Sequence, residues 1–263
     1  MAGVPRRSRG GGGVSTTSVL TPTGHPVNFA TRDGTNDANL AIGLNIWNDT
    51  IADEYKMRGR VLSGWAIDVG AHIGALAIPL AMDHPDLRVI AVEAVPENVA
   101  LIAQNAEQNG VADRVIIVSA FAAAPGTSTG TIHYGYRHEP SADDGYVSAH
   151  RFVGNTWGPA GEEGDPEFHV ALDAVSLDDL LARFGIEDVA LLKIDCEGCE
   201  WAFLDTPAVA RLQTIVGEYH GRPKGNPNPM TRLRELLPGH EVTAWGDDPV
   251  NGLFEAVRRV VMS

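Results

Sequence analysis

The chain has 263 residues, 44% hydrophobic and 21% charged, which suits one large α/β domain with a full core. Its 20 Lys and Arg against 34 Asp and Glu leave a net charge of −14, which argues against nucleic acid and anionic membrane as partners. No apolar run is long enough to span a membrane, and two cysteines without a disulfide framework or an export signal lead to an expected cytoplasmic location.

Residues 1–18 carry Arg6, Arg7, Arg9 and a run of four glycines, and read as a disordered tail. A single domain is expected over 19–263, opening with a leader over 19–60. Turn chemistry over 31–37 precedes an expected helix over 40–57, in which Leu44, Trp47, Ile51 and Tyr55 recur at helical spacing. A strand is predicted over 65–70 and a helix over 73–82, where Pro79 should kink the helix or remove a hydrogen bond. The next strand covers 88–93. Pro96 then opens a helix with Val99, Ile102, Ala103 and Ala106 on one face, closed by Gly110. A third strand is expected over 114–120.

Residues 122–174 interrupt this rhythm as an insertion, rich in Gly, Pro, Ser and His and containing Tyr134, Tyr136, Tyr146, Phe152 and Trp157. Short antiparallel strands around 130–136 and 168–172, joined by a long loop, fit this composition. Ser176 and Asp179 cap a helix that stops at Gly185. Strand 189–195, a helix over 197–203, strand 214–220, a helix over 229–237 and strands 240–245 and 252–260 complete the order. The βαβα alternation gives a doubly wound, mostly parallel sheet, with an antiparallel element expected at the end.

The most informative stretch is Asp68-Val-Gly70-Ala71-His72-Ile-Gly74, at the end of the first strand of that order. Its glycines allow a tight turn and close approach to a ligand. Glu93 ends the next strand about 20 residues on, the spacing at which a carboxylate binds a ribose diol. The turn lacks the third glycine of a pyrophosphate site. S-adenosylmethionine therefore fits better than NAD.

With Val92-Glu93-Ala94-Val-Pro96-Glu-Asn98, Asn105 and Asn109, then Leu192-Lys193-Ile-Asp195-Cys-Glu197-Gly198-Cys-Glu200 and Glu218-Tyr-His220, the sequence resembles the FkbM-type methyltransferases over roughly residues 30–260. Ala94 stands where that family usually has Pro. The resemblance implies a Rossmann-like class I fold with a seven-stranded, doubly wound sheet and an antiparallel edge strand. It also implies S-adenosylmethionine as cofactor and S-adenosylhomocysteine as product. Asp68, Gly70, Ala71 and Gly74 would then lie by the methionine part, and Glu93 and Ala94 by the ribose. Ser119, Ala120 and Phe121 would border the adenine. His72 would either touch the cofactor carboxylate or cap the turn.

Lys193 and Asp195 share a strand face and either pair with each other or place Asp195 beside the methyl donor. Glu218 and His220 share a face of the next strand. A hydroxyl acceptor must lose a proton as it attacks, and histidine suits that task, so His220 is the expected general base, supported by Glu218 or Asp195. The same three residues are the alternative of a divalent-metal site, with Mg²⁺ possible but not favoured. Cys196 and Cys199 lack two further zinc ligands and read as two buried cysteines.

The expected reaction is methyl transfer to a hydroxyl of a small molecule, by family a sugar or a polyketide- or peptide-derived natural product, with 24–60 and 122–168 forming the acceptor pocket. An N- or carboxyl-methyltransferase, a non-catalytic nucleoside binder and an NAD-type oxidoreductase are the competing classes. Association of the chain with itself is left open.

Overall fold

Seven segments pair side by side in the computed structural model, which describes residues 13–33, 35, 37–43, 53–137, 151–155, 168–221, 228–245 and 251–259. In chain order the elements that build this sheet are β3 (Gly64–Val69), β4 (Leu87–Glu93), β5 (Val115–Ser119), β10 (Val189–Ile194), β11 (Leu212–Tyr219), β12 (His240–Trp245) and β13 (Gly252–Arg258). Their order across the sheet is β12-β13-β11-β10-β3-β4-β5. β13 runs antiparallel to both of its neighbours, so the reversed strand sits one in from the β12 rim. The expected α/β class and mostly parallel sheet are observed.

Strands covered on both faces need apolar side chains on both, and these have them. Ile67, Val69, Ile90, Val92, Leu192, Ile194 and Ile215 pack into one layer. Ala66, Val89, Ala91, Leu191 and Val216 pack into the other. Helices α2 (Ala77–Asp83), α3 (Pro96–Gln108), α4 (Leu177–Phe184), α5 (Glu200–Phe203) and α6 (Pro229–Leu236) connect the strands. α4 carries the expected capping box, Ser176 with Asp179, and ends at Gly185 in the left-handed conformation.

Several boundaries differ from the sequence reading. Val14–Leu20 is not a tail but strand β1, paired antiparallel with β2 (Pro26–Arg32). The leader helix is short, α1 (Asp37–Gly43), and residues 53–57 are not helical; Leu44, Trp47 and Ile51 lie outside the described residues. α2 begins four residues later than expected. Pro79 is thus its third residue, where an amide has no acceptor within a helix, and no kink is needed. On α3 the buried positions are Asn98, Leu101, Ile102, Asn105 and Ala106, while Ala103 is exposed. The helix turns two asparagines inward because both have partners there. Asn105 Oδ1 accepts the Ala30 amide at 2.7 Å and its Nδ2 donates to the Ile73 carbonyl at 3.0 Å, which docks the β1–β2 hairpin on the glycine turn.

The insertion forms its own sheet. β6 (Phe121–Ala122), β7 (Thr129–Arg137), β8 (Arg151–Asn155) and β9 (Phe168–Val175) lie in the order β6-β9-β7-β8. The antiparallel β7–β9 pair is the expected one. β8 was not foreseen, and residues 138–150 and 156–167, with Tyr146 and Trp157, lie outside the described residues. No helix among the described residues is long and apolar enough to cross a membrane.

Candidate active site

The carboxyl ends of β3, β4, β10 and β11 carry nearly all of the residues singled out in the sequence. Gly70 follows β3 with φ +74°, and a Cβ there would stand 1.8 Å from the Asp195 carbonyl oxygen. Glycine is obligatory because the turn after β3 presses on the backbone that leaves β10. Gly74 also has positive φ, but its added Cβ would press only on side chains, chiefly the end of Ile78.

Beneath this turn lies a buried ion pair. Lys193 and Asp68 are register partners on adjacent strands, with Lys193 Nζ 3.2 Å from Asp68 Oδ1. The same ammonium donates to the Gly70 carbonyl at 2.9 Å. Lys193 therefore pairs with Asp68 and not with Asp195, because the sheet order puts β10 beside β3. Burial pushes the Asp68 carboxyl up, against the pull of Lys193. Lys193 is pushed down by burial, but Asp68 and Asp195 more than offset this and leave it above its ordinary value. Lys193 is a structural cation under the turn rather than a group free to act on substrate.

Glu93 is buried at the tip of β4, and its two oxygens accept the amides of His72 and Val95, each at 2.8 Å. Asn98 Nδ2 lies 3.4 Å from the same carboxylate. A carboxylate offers about four acceptor positions, so capacity remains for hydroxyl donors. Burial raises its pKa and the two amides lower it. Ala94 packs beside Val95 and Ile132. Ser119 is the exposed register partner of Glu93 on β5, and buried Ala120 donates its amide to the Glu93 carbonyl at 3.1 Å. The Phe121 ring covers Gly130, whose added Cβ would clash with it at 2.5 Å. These three residues follow the same sheet edge as Glu93. Ala71 is buried within the turn.

His72 caps the turn with its amide and turns its ring to the leader. Its Nε2 lies 3.3 Å from Asp37, which is itself fully buried and held by Arg32 Nε at 2.7 Å. Arg32 Nη2 reaches Asn98 Oδ1 at 2.7 Å. Burial pushes the imidazole down to about 4, against the pull of Asp37. The His72 amide is thus tied to Glu93 across the turn, and its ring contacts the leader.

At the tips of β10 and β11 Asp195, Glu218 and His220 converge, each offering a ligand atom within 4.8 Å of the others. His220 Nε2 stands 3.9 Å from Asp195, 3.7 Å from Glu218 and 3.6 Å from Glu197. Its Nδ1 stands 3.5 Å from Glu200, which is completely buried. Burial alone would lower the imidazole, but the carboxylates around it, Glu200 first, push it up to about 9. A proton held this firmly works against the expected role of general base, which needs a free lone pair on Nε2. Glu218 is pushed up to about 6 by burial and the nearby Asp195.

Two contacts of this cluster were not foreseen, although both residues were named in the sequence reading. Tyr55, from the leader, donates its hydroxyl to Asp195 Oδ2 at 2.8 Å. Only a helical period suggested Tyr55, and that period is not realised. Glu200 accepts the amides of His220 at 2.5 Å and Gly198 at 2.9 Å, fixing the loop after β10 to the end of β11. That loop holds Glu197 at φ +57° and Gly198 at φ +110°, so the helix expected from 197 begins only at Glu200. Cys196 and Cys199 are buried as expected, but they are joined by a disulfide across this loop.

Residues 68–247 match the model of the methyltransferase FkbM domain, which takes in the glycine turn, Glu93, the β10 run and His220. The chain belongs to the FkbM methyltransferase family. It is an S-adenosylmethionine-dependent methyltransferase with a class I, Rossmann-like fold. Among solved structures, the chain is similar to precorrin-6y C5,15-methyltransferase from Geobacter metallireducens GS-15, at 16% identity over 79% of this chain and 85% of that one, with a TM-score of 0.42. It is also similar to M. capricolum TrmK in complex with S-adenosyl-homocysteine, at 11% identity over 75% and 63% of the two chains, TM-score 0.41. TrmN from Thermus thermophilus is similar at 13% identity over 74% and 44%, TM-score 0.40. At such scores these likenesses bear on no residue or substrate of this chain. No curated protein matches the sequence significantly.

Proposed function

We propose that this FkbM methyltransferase transfers the methyl group of S-adenosylmethionine to a hydroxyl oxygen of a small molecule. The observation that carries this reading is the acidic edge formed by Asp195, Glu218 and Glu197 around His220, next to the glycine turn. Carboxylates raise the pKa of a nearby amine and keep it protonated, which blocks attack by nitrogen. They repel a carboxylate acceptor. A neutral hydroxyl meets neither obstacle. The net charge of −14 further favours a small acceptor over nucleic acid.

In this reading Asp68, Gly70, Ala71 and Gly74 receive the methionine part of the donor, and Glu93 spends its remaining acceptor capacity on the ribose hydroxyls. The adenine lies along Ser119, Ala120 and Phe121. As the acceptor oxygen attacks the methyl carbon, the O–CH₃ bond forms and the S–CH₃ bond breaks. The sulfonium becomes a neutral thioether, and the acceptor proton passes to the carboxylates of the acidic edge. The donor is already activated, so holding the two reactants in line supplies most of the rate; effective molarities of about 10⁵ M or more are available from such positioning. A sugar or a polyketide- or peptide-derived alcohol is the acceptor class proposed.

The test uses a labelled methyl donor with a panel of alcohols, amines and carboxylic acids. An O-methyl product with S-adenosylhomocysteine in equal amount is expected. Label on nitrogen or carboxyl instead would overturn the choice of acceptor, and failure of S-adenosylhomocysteine to bind would overturn the donor site.

A further inference from the structure

We infer that Asp195, Glu218 and His220 form a binding site for one divalent cation of the Mg²⁺ or Mn²⁺ class. The argument rests on how these side chains meet. A histidine N–H beside carboxylates ordinarily closes on one of them at about 2.7–2.9 Å. Here Nε2 instead stands 3.6–3.9 Å from three carboxylates and approaches none of them more closely among the described residues. Metal–oxygen and metal–nitrogen bonds of about 2.0–2.3 Å put two ligands of one cation roughly 3–4.5 Å apart. The donors are thus too far apart to bond each other and spaced to share an ion.

The orientation of the ring gives a second observation. The other nitrogen, Nδ1, faces the fully buried carboxylate of Glu200 at 3.5 Å. A carboxylate behind one ring nitrogen, with the other turned to the metal, is the usual arrangement of a ligating histidine. Glu200 is itself fixed by the amides of His220 and Gly198, so the ring's direction is set by the backbone. Asp195 is oriented in the same way, its Oδ2 taken by the Tyr55 hydroxyl while Oδ1 faces His220. The nearest lysine, Lys193, makes its close ion pair with Asp68 and not with this cluster.

Binding through Nε2 displaces the ring proton to solvent; one nitrogen and two carboxylate ligands then suit a hard or borderline divalent ion and leave coordination positions for solvent and substrate oxygens. Within the methyl-transfer reading, on which this use of the site rests, one of those positions takes the acceptor hydroxyl and makes its proton easier to lose. The site itself does not depend on that reading.

The test is Mn²⁺ titration of the chelator-stripped full chain, following free Mn²⁺ by electron paramagnetic resonance, with S-adenosylhomocysteine affinity measured separately by calorimetry. One Mn²⁺ per chain is expected. Binding should weaken about tenfold or more in Glu218→Gln and in Glu200→Gln, and stay unchanged in Glu241→Gln, which alters an exposed carboxylate of β12. Thermal melts establish that each variant folds, and Asp195→Asn replaces any that does not. No stoichiometric Mn²⁺, or equal affinity in parent and Glu218→Gln, overturns the inference. Loss of S-adenosylhomocysteine binding with Mn²⁺ binding intact sinks the donor site and leaves this one standing.

Discussion

The two halves of the active edge are built on opposite terms. At the β3–β4 tips every charge has a close partner. Asp68 has Lys193, Glu93 has two backbone amides, and Asp37 has Arg32. At the β10–β11 tips the charges gather without closing on one another. Closed networks hold a turn in one shape, which suits a donor that is the same in every cycle. An open cluster of like charges stores unmet demand for a cation or a proton. The contrast assigns structure to one half and chemistry to the other, and it can be broken residue by residue.

The sharpest break is Lys193→Met. If Lys193 is a strut, losing it leaves Asp68 buried without its cation, and stability should fall by about 3–5 kcal/mol. Chemical denaturation measures this directly. A variant with full stability but no turnover would instead return Lys193 to the chemistry.

Next is the acid sensitivity of the donor half. His72 has a folded pKa of about 4 against an ordinary 6.5. The unfolded chain therefore takes up a proton that the folded chain refuses, and stability is fully present above pH 6.5. It is lost as the pH falls from 6.5 towards 4, by at most about 3 kcal/mol. His72→Gln should flatten that part of a stability–pH curve measured by urea unfolding. An unchanged slope would mean that other groups set it.

Glu93→Gln comes third. A hydrogen bond to a charged group contributes about 1.5–3 kcal/mol, so S-adenosylhomocysteine should bind roughly 10–100-fold more weakly by calorimetry. Mn²⁺ affinity should not move, because Glu93 belongs to the closed half. Equal weakening of both ligands would show that the halves are not separate.

The unequal legibility of the two halves has a physical cause. The glycine turn, Glu93 and the strands that carry them follow from local rules: alternating apolar runs, glycine where φ is positive, a carboxylate at a fixed distance along the chain. Pairing of Lys193 with Asp68 depends on which strands become neighbours, and the two stand 125 positions apart in the sequence. Spacing on β10 alone offered Asp195 as the partner. Asn98 and Asn105 entered the sequence reading only through the family resemblance, and their meaning required the hairpin and the turn that they bind. The C-x-x-C spacing was plain in the sequence, and the disulfide followed only from the tight loop that Glu197 and Gly198 make. The proton affinity of His220 was hidden for a related reason. A histidine's reference pKa says nothing about how many carboxylates the fold will turn towards it.

The smallest expected effect tests the seam between the halves. Tyr55 is buried and donates to Asp195, which both borders the glycine turn through its carbonyl and joins the open cluster through its carboxylate. Burial and the charge of Asp195 hold the Tyr55 hydroxyl well above its ordinary pKa, so it stays a donor throughout the working range. Tyr55→Phe removes that bond alone. Because the Asp195 side chain is 29% exposed, water can replace the lost donor, and stability should fall by only about 1 kcal/mol. Mn²⁺ affinity and kcat should fall together, since both need Oδ1 aimed at His220, while S-adenosylhomocysteine affinity stays within a few-fold. A fall in S-adenosylhomocysteine affinity alone would place Asp195 with the donor and dissolve the boundary drawn here.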